Sequence, residues 1–153
     1  MTENAGAEDT AKQEIESLIA GEDVAWNRGD AIGFAARVLP EVVFTNIVGM
    51  FCVGKPPFVA QHERIFSTIY KGSTCRQSIQ HITLLKPDVA IVDTLAIVSG
   101  FQHIPAGIGT IDGALHARLE QVLVRIKEGW WVASFHNVAV NPAAIQGAPP
   151  ATQ

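Results

Sequence analysis

The sequence predicts an α+β fold in which three N-terminal helices pack on a strongly curved, mainly antiparallel sheet to form a cone. Residues 10 to about 70 show helical spacing of apolar side chains around one short hairpin, whereas later residues show the two-residue alternation of strands. Residues 114–140 form the clearest hairpin, and both of its faces carry large apolar side chains that must be buried. We therefore expect helices on one face of the sheet. A second copy of the chain is expected on the outer face, as a homodimer.

The length and composition indicate one domain without a nucleic-acid surface or a membrane span. The chain has 153 residues and a net charge of -4, and 17% of its residues are charged. Phosphate binding needs clustered Lys and Arg, which the sequence lacks, so no nucleic acid is expected as a partner. No apolar run approaches the roughly 20 residues of a membrane helix. The N-terminus also lacks a signal-peptide pattern, so we expect a cytoplasmic protein that does not contact membranes.

We expect residues 10–140 to form the domain, between a disordered N-terminus at residues 1–9 and a flexible tail at residues 141–153. Cys52 and Cys75 are too few and too oddly spaced for a disulfide framework or a zinc site, so both are expected to be reduced thiols. The chain carries no Gly-rich dinucleotide fingerprint, flavin signature or metal-ligand cluster. The sequence therefore predicts no cofactor and no metal.

Three helices are predicted from apolar stripes and capping residues. Thr10 and Gln13 have the spacing of a capping box and predict the start of the first helix. Asp30 is placed to cap a short second helix that runs through Arg37. The Pro56-Pro57 pair suits the first turn of the third helix, where a missing amide proton costs little. The first helix carries the stripe Ile15, Leu18, Ile19 and Trp26 with Glu22 in its middle, and the third carries Phe58, His62, Ile65, Phe66 and Ile69.

The other segments read as strands. The first strand is predicted at residues 41–48, a short one follows near residues 51–53, and a long one ends near Leu85. The loop at residues 101–113 is expected to form a rim or a lid. In the final hairpin, strict alternation puts two sets of side chains on shared faces, and pairing across the turn brings His136 opposite Gln121. The sets are Leu115, Ala117, Leu119, Gln121 and Leu123 on one strand, and Trp130, Val132, Ser134, His136 and Val138 on the other.

Several spaced motifs resemble one bacterial family. They are AWNRGDA at 25–31, FTNIVG at 44–49, HERIFSTIY at 62–70, PDVAIVD at 87–93 and SFHN at 134–137. Together they resemble the SgcJ/EcaC family of the nuclear transport factor 2-like superfamily. The cone-shaped, cystatin-like fold of that superfamily is shared with ketosteroid isomerase and SnoaL-type polyketide cyclases. The resemblance implies a cavity for an apolar, polyketide-like small molecule and a role in bacterial specialised metabolism, such as enediyne biosynthesis.

The resemblance locates a cavity but does not carry over the chemistry of ketosteroid isomerase. The general-base aspartate of that enzyme falls on Asn46, and an amide cannot take up a proton. Its oxyanion-hole tyrosine falls on Glu22, and its protonated aspartate falls on Gln121. The resemblance therefore disfavours steroid-type isomerisation. It still implies that Glu22, Asn46 and Gln121 point into the same cavity.

His136 and Glu22 are the predicted catalytic pair. A histidine titrates near neutral pH and can serve as a general acid or base. The alternative for His136 is a hydrogen bond to a neighbour inside the core. Burial on an apolar stripe would raise the pKa of Glu22 and suit it to a general acid. The alternatives for Glu22 are a rim position in water or a structural pairing with Arg28, His62 or His136.

Eight further residues are candidate substrate contacts. His62 either reaches the cavity from the third helix or is a satisfied core histidine. Tyr70 is expected to donate a hydrogen bond at the cavity mouth. Asp93 interrupts an apolar strand and is either a pocket group or an interface group. The remaining candidates are Asn46, Gln121, Trp26, Phe44 and Phe66, and the aromatic members of this set also fit a plain core.

These residues leave open functions of different classes. The first is an enzyme without a cofactor that transfers protons between His136 and Glu22 on an apolar metabolite. The second is a ligand-binding, carrier or sequestration protein that uses the same cavity without turnover. The third is a scaffold protein whose dimer surface matters more than its pocket. His116, Arg118 and Glu120 lie on the face opposite Gln121 and fit a partly polar dimer contact.

Overall fold

The computed structural model describes residues 2–127 and 129–145, and it confirms the predicted α+β fold. Helices pack on one face of a curved six-stranded sheet with the strand order β2-β1-β6-β5-β4-β3. The β1–β6 pair is parallel and the other neighbouring pairs are antiparallel. The helices are α1 (Thr2–Asn27), α2 (Ala31–Phe34), α3 (Lys55–Ser67) and α4 (Pro142–Ile145). The strands are β1 (Val38–Thr45), β2 (Phe51–Val53), β3 (Thr74–Lys86), β4 (Val89–Ser99), β5 (Leu115–Ile126) and β6 (Gly129–Ala139).

Helix α1 begins earlier than the sequence predicts. It starts at Thr2 instead of Thr10, so the structure places residues 2–9 in a solvent-exposed extension of the helix. The predicted capping box is wrong, because the Thr10 hydroxyl donates to the Gly6 carbonyl oxygen at 2.9 Å, which is a bond within the helix. The predicted apolar stripe does face the sheet. The buried residues of α1 are Ala11, Ile15, Ile19, Glu22 and Ala25.

After α1, the second helix is shorter than predicted and the first strand begins earlier. Asp30 caps α2 as expected, since its Oδ1 accepts from the Gly33 amide at 2.8 Å. The helix then ends at Phe34 instead of Arg37, and β1 spans Val38–Thr45 instead of residues 41–48. Asn46 ends the strand because its Oδ1 accepts from two backbone amides of the following turn, at 3.1 and 2.9 Å.

A bulge in β6 changes which side chains reach the inside. Val122 pairs with Ser134 and Leu123 pairs with Val132, so Ala133 is an extra residue on β6. Trp130 and Val132 are buried before the bulge, but Phe135 is the buried residue after it. The prediction of one face running from Trp130 to Val138 is therefore wrong. The β5 prediction holds, since Leu115, Ala117, Leu119, Gln121 and Leu123 are all buried.

The core lies between the helices and the inner face of the sheet. A larger cluster joins Ile15, Ile19, Phe58 and Trp130, and a smaller one surrounds Tyr70 beside the 101–113 loop. Within the described residues, no helix is both long enough and apolar enough to cross a membrane. Part of the predicted flexible tail, residues 146–153, lies outside the described residues, as does Met1 of the predicted disordered N-terminus.

Candidate functional site

A cavity of about 270 Å³ opens between α3, the 101–113 loop and the inner face of the sheet. This volume lies just below the roughly 300–1,000 Å³ that is usual for small-molecule pockets. Asn46 and Pro105 contribute to its lining. Its walls are mainly apolar and include Trp26, Phe34, Phe44, Ile65, Leu119 and Phe135. Such a cavity suits an apolar ligand that is held in orientation by a few polar groups.

His62 is the titratable group with the best defined state in this cavity. The third helix directs it inward, and only 3% of its surface is exposed. Its Nδ1 lies 2.7 Å from the Phe58 carbonyl oxygen. Because a carbonyl oxygen can only accept, Nδ1 carries the proton and Nε2 keeps its lone pair in the neutral ring. Burial lowers the pKa of His62 to about 4, although the Phe58 carbonyl opposes that shift.

Two buried polar atoms on residues of the cavity wall lack partners within the described residues. The Tyr70 hydroxyl and the Asn137 Oδ1 are both buried without a hydrogen bond there. Both residues line the cavity. Burial raises the pKa of Tyr70 to about 12, so its hydroxyl stays protonated and can donate. Together with His62 Nε2, these atoms are one donor and two acceptors on residues that line the cavity.

Glu22 is buried behind the cavity wall instead of in the cavity. Its Oε1 accepts hydrogen bonds from Gln121 Nε2 at 2.8 Å and from Gln77 Nε2 at 3.1 Å. Burial raises the pKa of Glu22 to about 7, although the hydrogen bonds from the two side-chain amides oppose that shift. Gln77 lines the cavity, whereas Glu22 and Gln121 do not. Of the alternatives for Glu22, a structural pairing is found, but its partners are these two amides instead of Arg28, His62 or His136.

The expectation that Glu22, Asn46 and Gln121 share one cavity is therefore wrong. Asn46 does line it, but its Oδ1 is occupied by the amides of Val48 and Met50. Gln121 is fully buried, and its Oε1 has no partner among the described residues. The amide of Gln121 thus orients the Glu22 carboxyl, and Gln121 does not line this cavity.

His136 is on the outer face of the sheet and is exposed to solvent. The bulge at Ala133 reverses its side, so its cross-strand partner is Glu120 instead of Gln121. The predicted role of His136 as a cavity acid or base is therefore wrong. Asp93, which is the partner of Glu120 on β4, lies in the same outer row, where it lines a shallow outer depression with Glu120 and His136, and it does not line the inner cavity.

The aromatic candidates divide between the cavity and the core. Trp26 and Phe44 line the cavity, and the Trp26 indole Nε1 donates to Ser73 Oγ at 3.0 Å. Phe66 packs edge-on against Trp26, with ring centroids 4.9 Å apart, and does not line the cavity. Sequence reasoning missed Gln77 and Asn137. Gln77 alternates with Cys75 and Ile79 on β3, so that alternation is the signal that could have found it.

The fold and this cavity define a class of protein, namely an α+β cone with a small, mainly apolar pocket. Only the shape of the pocket and its polar atoms indicate what it binds. No protein-family profile matches the chain, and no curated protein matches it either. Solved structures do match.

An uncharacterized protein from Caulobacter vibrioides with a cystatin-like fold aligns with a TM-score of 0.78 and 27% identity, over 90% of this chain and 95% of that chain. A ketosteroid isomerase-like protein from Erwinia carotovora atroseptica aligns with a TM-score of 0.68 and 19% identity, over 85% and 96%. An NTF-2 like protein from Shewanella oneidensis aligns with a TM-score of 0.68 and 16% identity, over 84% and 98%. The chain is therefore similar to cystatin-like, NTF2-like proteins in fold, and membership of the SgcJ/EcaC family stays a prediction.

Proposed function

We propose that the protein is a cofactor-independent enzyme that moves a proton on an apolar, polyketide-like small molecule in this cavity. The observation that carries the proposal is the neutral His62, whose Nδ1–H is bound to Phe58 while the ring lines an apolar pocket. His62 is thus the proposed proton acceptor, in place of the catalytic pair His136 and Glu22 that the sequence predicts. The resemblance to the SgcJ/EcaC family supports a setting in bacterial specialised metabolism, which would place the protein in the cytoplasm.

The chemistry follows from the properties of the polar atoms. His62 Nε2 would accept the proton as a general base, and the Tyr70 hydroxyl would donate to the oxygen on which negative charge develops. Because burial makes protonated His62 acidic, the ring is a weak base that returns its proton readily. A weak base matches an acidic C–H, such as one between two carbonyl groups of a polyketide. Returning the proton to a different atom would complete an isomerisation without a cofactor.

A non-catalytic binding or carrier protein for such a metabolite is the second candidate. It is favoured by the positions that correspond to the catalytic residues of ketosteroid isomerase. Asn46 is engaged in a turn, whereas Glu22 and Gln121 lie behind the wall. The Tyr70 hydroxyl and Asn137 Oδ1, which have no partner among the residues that the structure describes, would serve equally well to orient a ligand that is not transformed.

Native mass spectrometry on protein incubated with extracts of its host separates these functions. The enzyme predicts a compound whose mass changes with time in the wild type and in His136→Ala, but not in His62→Gln. His136→Ala is the matched control because that histidine lies on the outer face. A retained compound that is recovered unchanged from all variants would instead establish the binding protein. If a compound is retained but its binding does not affect the residues that line the cavity, both functions are contradicted.

We further propose that the protein is a homodimer through the outer face of the sheet. Apolar side chains are exposed there, and Val43 and Val53 are cross-strand partners on β1 and β2 that are 38% and 56% exposed. Val138 on β6 is 54% exposed beside the row that holds His136 and Glu120. Exposed apolar area of this kind is typical of an interface.

A further inference from the structure

The cavity that His62 lines has a mouth between α3 and the turn that joins β1 to β2. A groove of about 360 Å³ runs outside this mouth, and its lining shares Met50, Gln61 and Arg64 with the lining of the cavity. The cavity and the groove therefore meet at these three residues. A molecule bound in the cavity can extend through the mouth into the groove, to which the proposed function assigns no role.

The walls of the groove are mainly apolar. Phe51 and Cys52 of β2 form one wall, and one face of α3 forms the other. The α3 residues recur at the three- and four-residue spacing of a single helical face. They are Pro57, Ala60, Gln61 and Arg64. Met50 and Phe51 are 51% and 64% exposed, so apolar surface continues from the cavity to the outside.

Arg64 is the charged side chain at this mouth. The described residues that line the cavity or the groove include no Asp, Glu or Lys, and Arg64 is the one arginine among them. Arg64 accepts hydrogen bonds from the hydroxyls of Ser67 and Thr68 on its carbonyl oxygen, which leaves its guanidinium donors unused. The ion pair found in the described part of the chain joins Arg125 to Glu14. The guanidinium of Arg64 therefore has no carboxylate partner there, and its donors can serve a ligand.

Arg64 and His62 lie on different sides of α3. An α-helix turns by roughly 100° per residue, so Arg64, which is two residues after His62, points about 200° away around the helix. His62 is directed into the cavity and is 3% exposed, whereas Arg64 is exposed at the mouth. A ligand would therefore meet the imidazole inside the cavity and the cation outside it.

This arrangement determines where an anionic group of a ligand can lie. A carboxylate inside the cavity would lose its hydration among apolar walls, which is costly without a paired charge. A carboxylate at the mouth stays partly hydrated, and a guanidinium can bind both of its oxygens. The mouth is therefore the favourable position for the charge of an otherwise apolar molecule.

We propose that the ligand of the cavity is an apolar carboxylic acid, bound with its hydrocarbon part inside and its carboxylate at the guanidinium of Arg64. This inference rests on the proposed function and narrows its small molecule to that chemical class. It makes Arg64 a residue that selects the ligand, whereas His62 acts on it.

Titration with 2-naphthylacetate at pH 7 tests this site, with 2-naphthaleneethanol as the uncharged analogue. The readout is the indole N–H resonance of Trp26, which lines the cavity, assigned with Trp130→Phe and Trp131→Phe variants. We expect a saturable shift with both compounds and tighter binding of the acid. Arg64→Gln should weaken binding of the acid by about three- to tenfold, as is usual for a partly exposed charge pair, and leave the Kd of the alcohol unchanged.

Two comparisons separate this contact from general effects. Lys86→Gln removes an exposed positive charge that lines neither the cavity nor the groove, so it should leave both Kd values unchanged. Added salt should weaken binding of the acid to wild type more than to Arg64→Gln, because it screens an exposed charge pair. Arg64 is exposed, so Arg64→Gln tests the contact without disturbing the core.

The proposal is overturned if Arg64→Gln binds the acid as well as wild type does, or if it weakens both compounds equally. It is also overturned if turnover by His62 is found with uncharged compounds alone, although the proposed function would then stand. If the acid binds through Arg64 and no compound is turned over, the inference about the ligand stands and the proposed catalysis fails.

Discussion

At the scale of single residues, burial controls the protonation of Glu22 and His62 in opposite senses. Both side chains are almost inaccessible, at 6% and 3% exposure. Burial disfavours the charged form of each, so the pKa of the carboxyl rises to about 7 and that of the imidazole falls to about 4. Both groups are therefore uncharged between these values. Their helical spacing could be read from the sequence, but the amide partners of Glu22 could not, because they come from β3 and β5.

The raised pKa of Glu22 predicts that the protein loses stability as the pH rises. The pKa of the carboxyl has its ordinary value of 4.5 in the unfolded chain and is about 7 in the folded protein, so the loss develops between these values and is complete above them. At roughly 1.36 kcal/mol per pKa unit, the loss approaches about 3 kcal/mol at pH 8. Glu22→Gln should remove it, so the variant should gain stability relative to wild type between pH 4.5 and pH 8.

Urea unfolding at both pH values measures this difference. Glu16→Gln is the control, because Glu16 is an exposed carboxyl on the same helix. If the difference in unfolding free energy between Glu22→Gln and wild type did not change with pH, Glu22 would not be the buried, uncharged group described above.

At the scale of secondary structure elements, the β6 bulge decides which side chains enter the cavity. Regular alternation predicts the faces of β5 correctly from Leu115 to Leu123. On β6 the same reasoning fails after Val132, because the extra residue Ala133 leaves no mark in the apolar pattern. His136 was predicted for the site for this reason, and Asn137 was missed. A β-bulge is a property of the paired strands, and sequence alternation within one strand does not reveal it.

Because of the bulge, substitutions at two adjacent residues are predicted to have very different effects on the unfolding free energy. Phe135 is 3% exposed and packs against Phe34, Phe44 and Phe58, so Phe135→Ala should cost about 3–5 kcal/mol of unfolding free energy. His136 is exposed, so His136→Ala should change it by about 0.5 kcal/mol or less. Chemical denaturation of both variants measures the contrast. The reverse order would mean that β6 alternates without the bulge.

At the scale of the whole molecule, the sequence predicts the architecture better than the site. Long stretches with clear periodicity, such as the stripe from Phe58 to Phe66, determine which faces meet, and the helices and sheet follow from them. The cavity lies where cone-shaped folds are expected to have one. Its polar atoms depend on positions that are set by several elements at once, so their combination becomes visible only in the folded chain.

The proposed dimer belongs to this scale. Light scattering at micromolar concentration should give a mass of about twice the 16.4 kDa of one chain, because the outer face exposes apolar side chains. Val138→Lys should shift the mass toward one chain by placing a charge in that face. Ile32→Lys is the matched control, since Ile32 is also exposed but lies on α2, away from the sheet. A single-chain mass for the wild type would refute the dimer.

The most direct test of the central claim is the protonation state of His62 in solution. Long-range ¹H–¹⁵N spectra recorded across a pH titration distinguish the two ring nitrogens of each of the five histidines. We predict that His62 carries its proton on Nδ1 at pH 7 and protonates only near pH 4. A His62 that carries its proton on Nε2, or that titrates at its ordinary value of 6.5, would contradict its role as the base of the cavity.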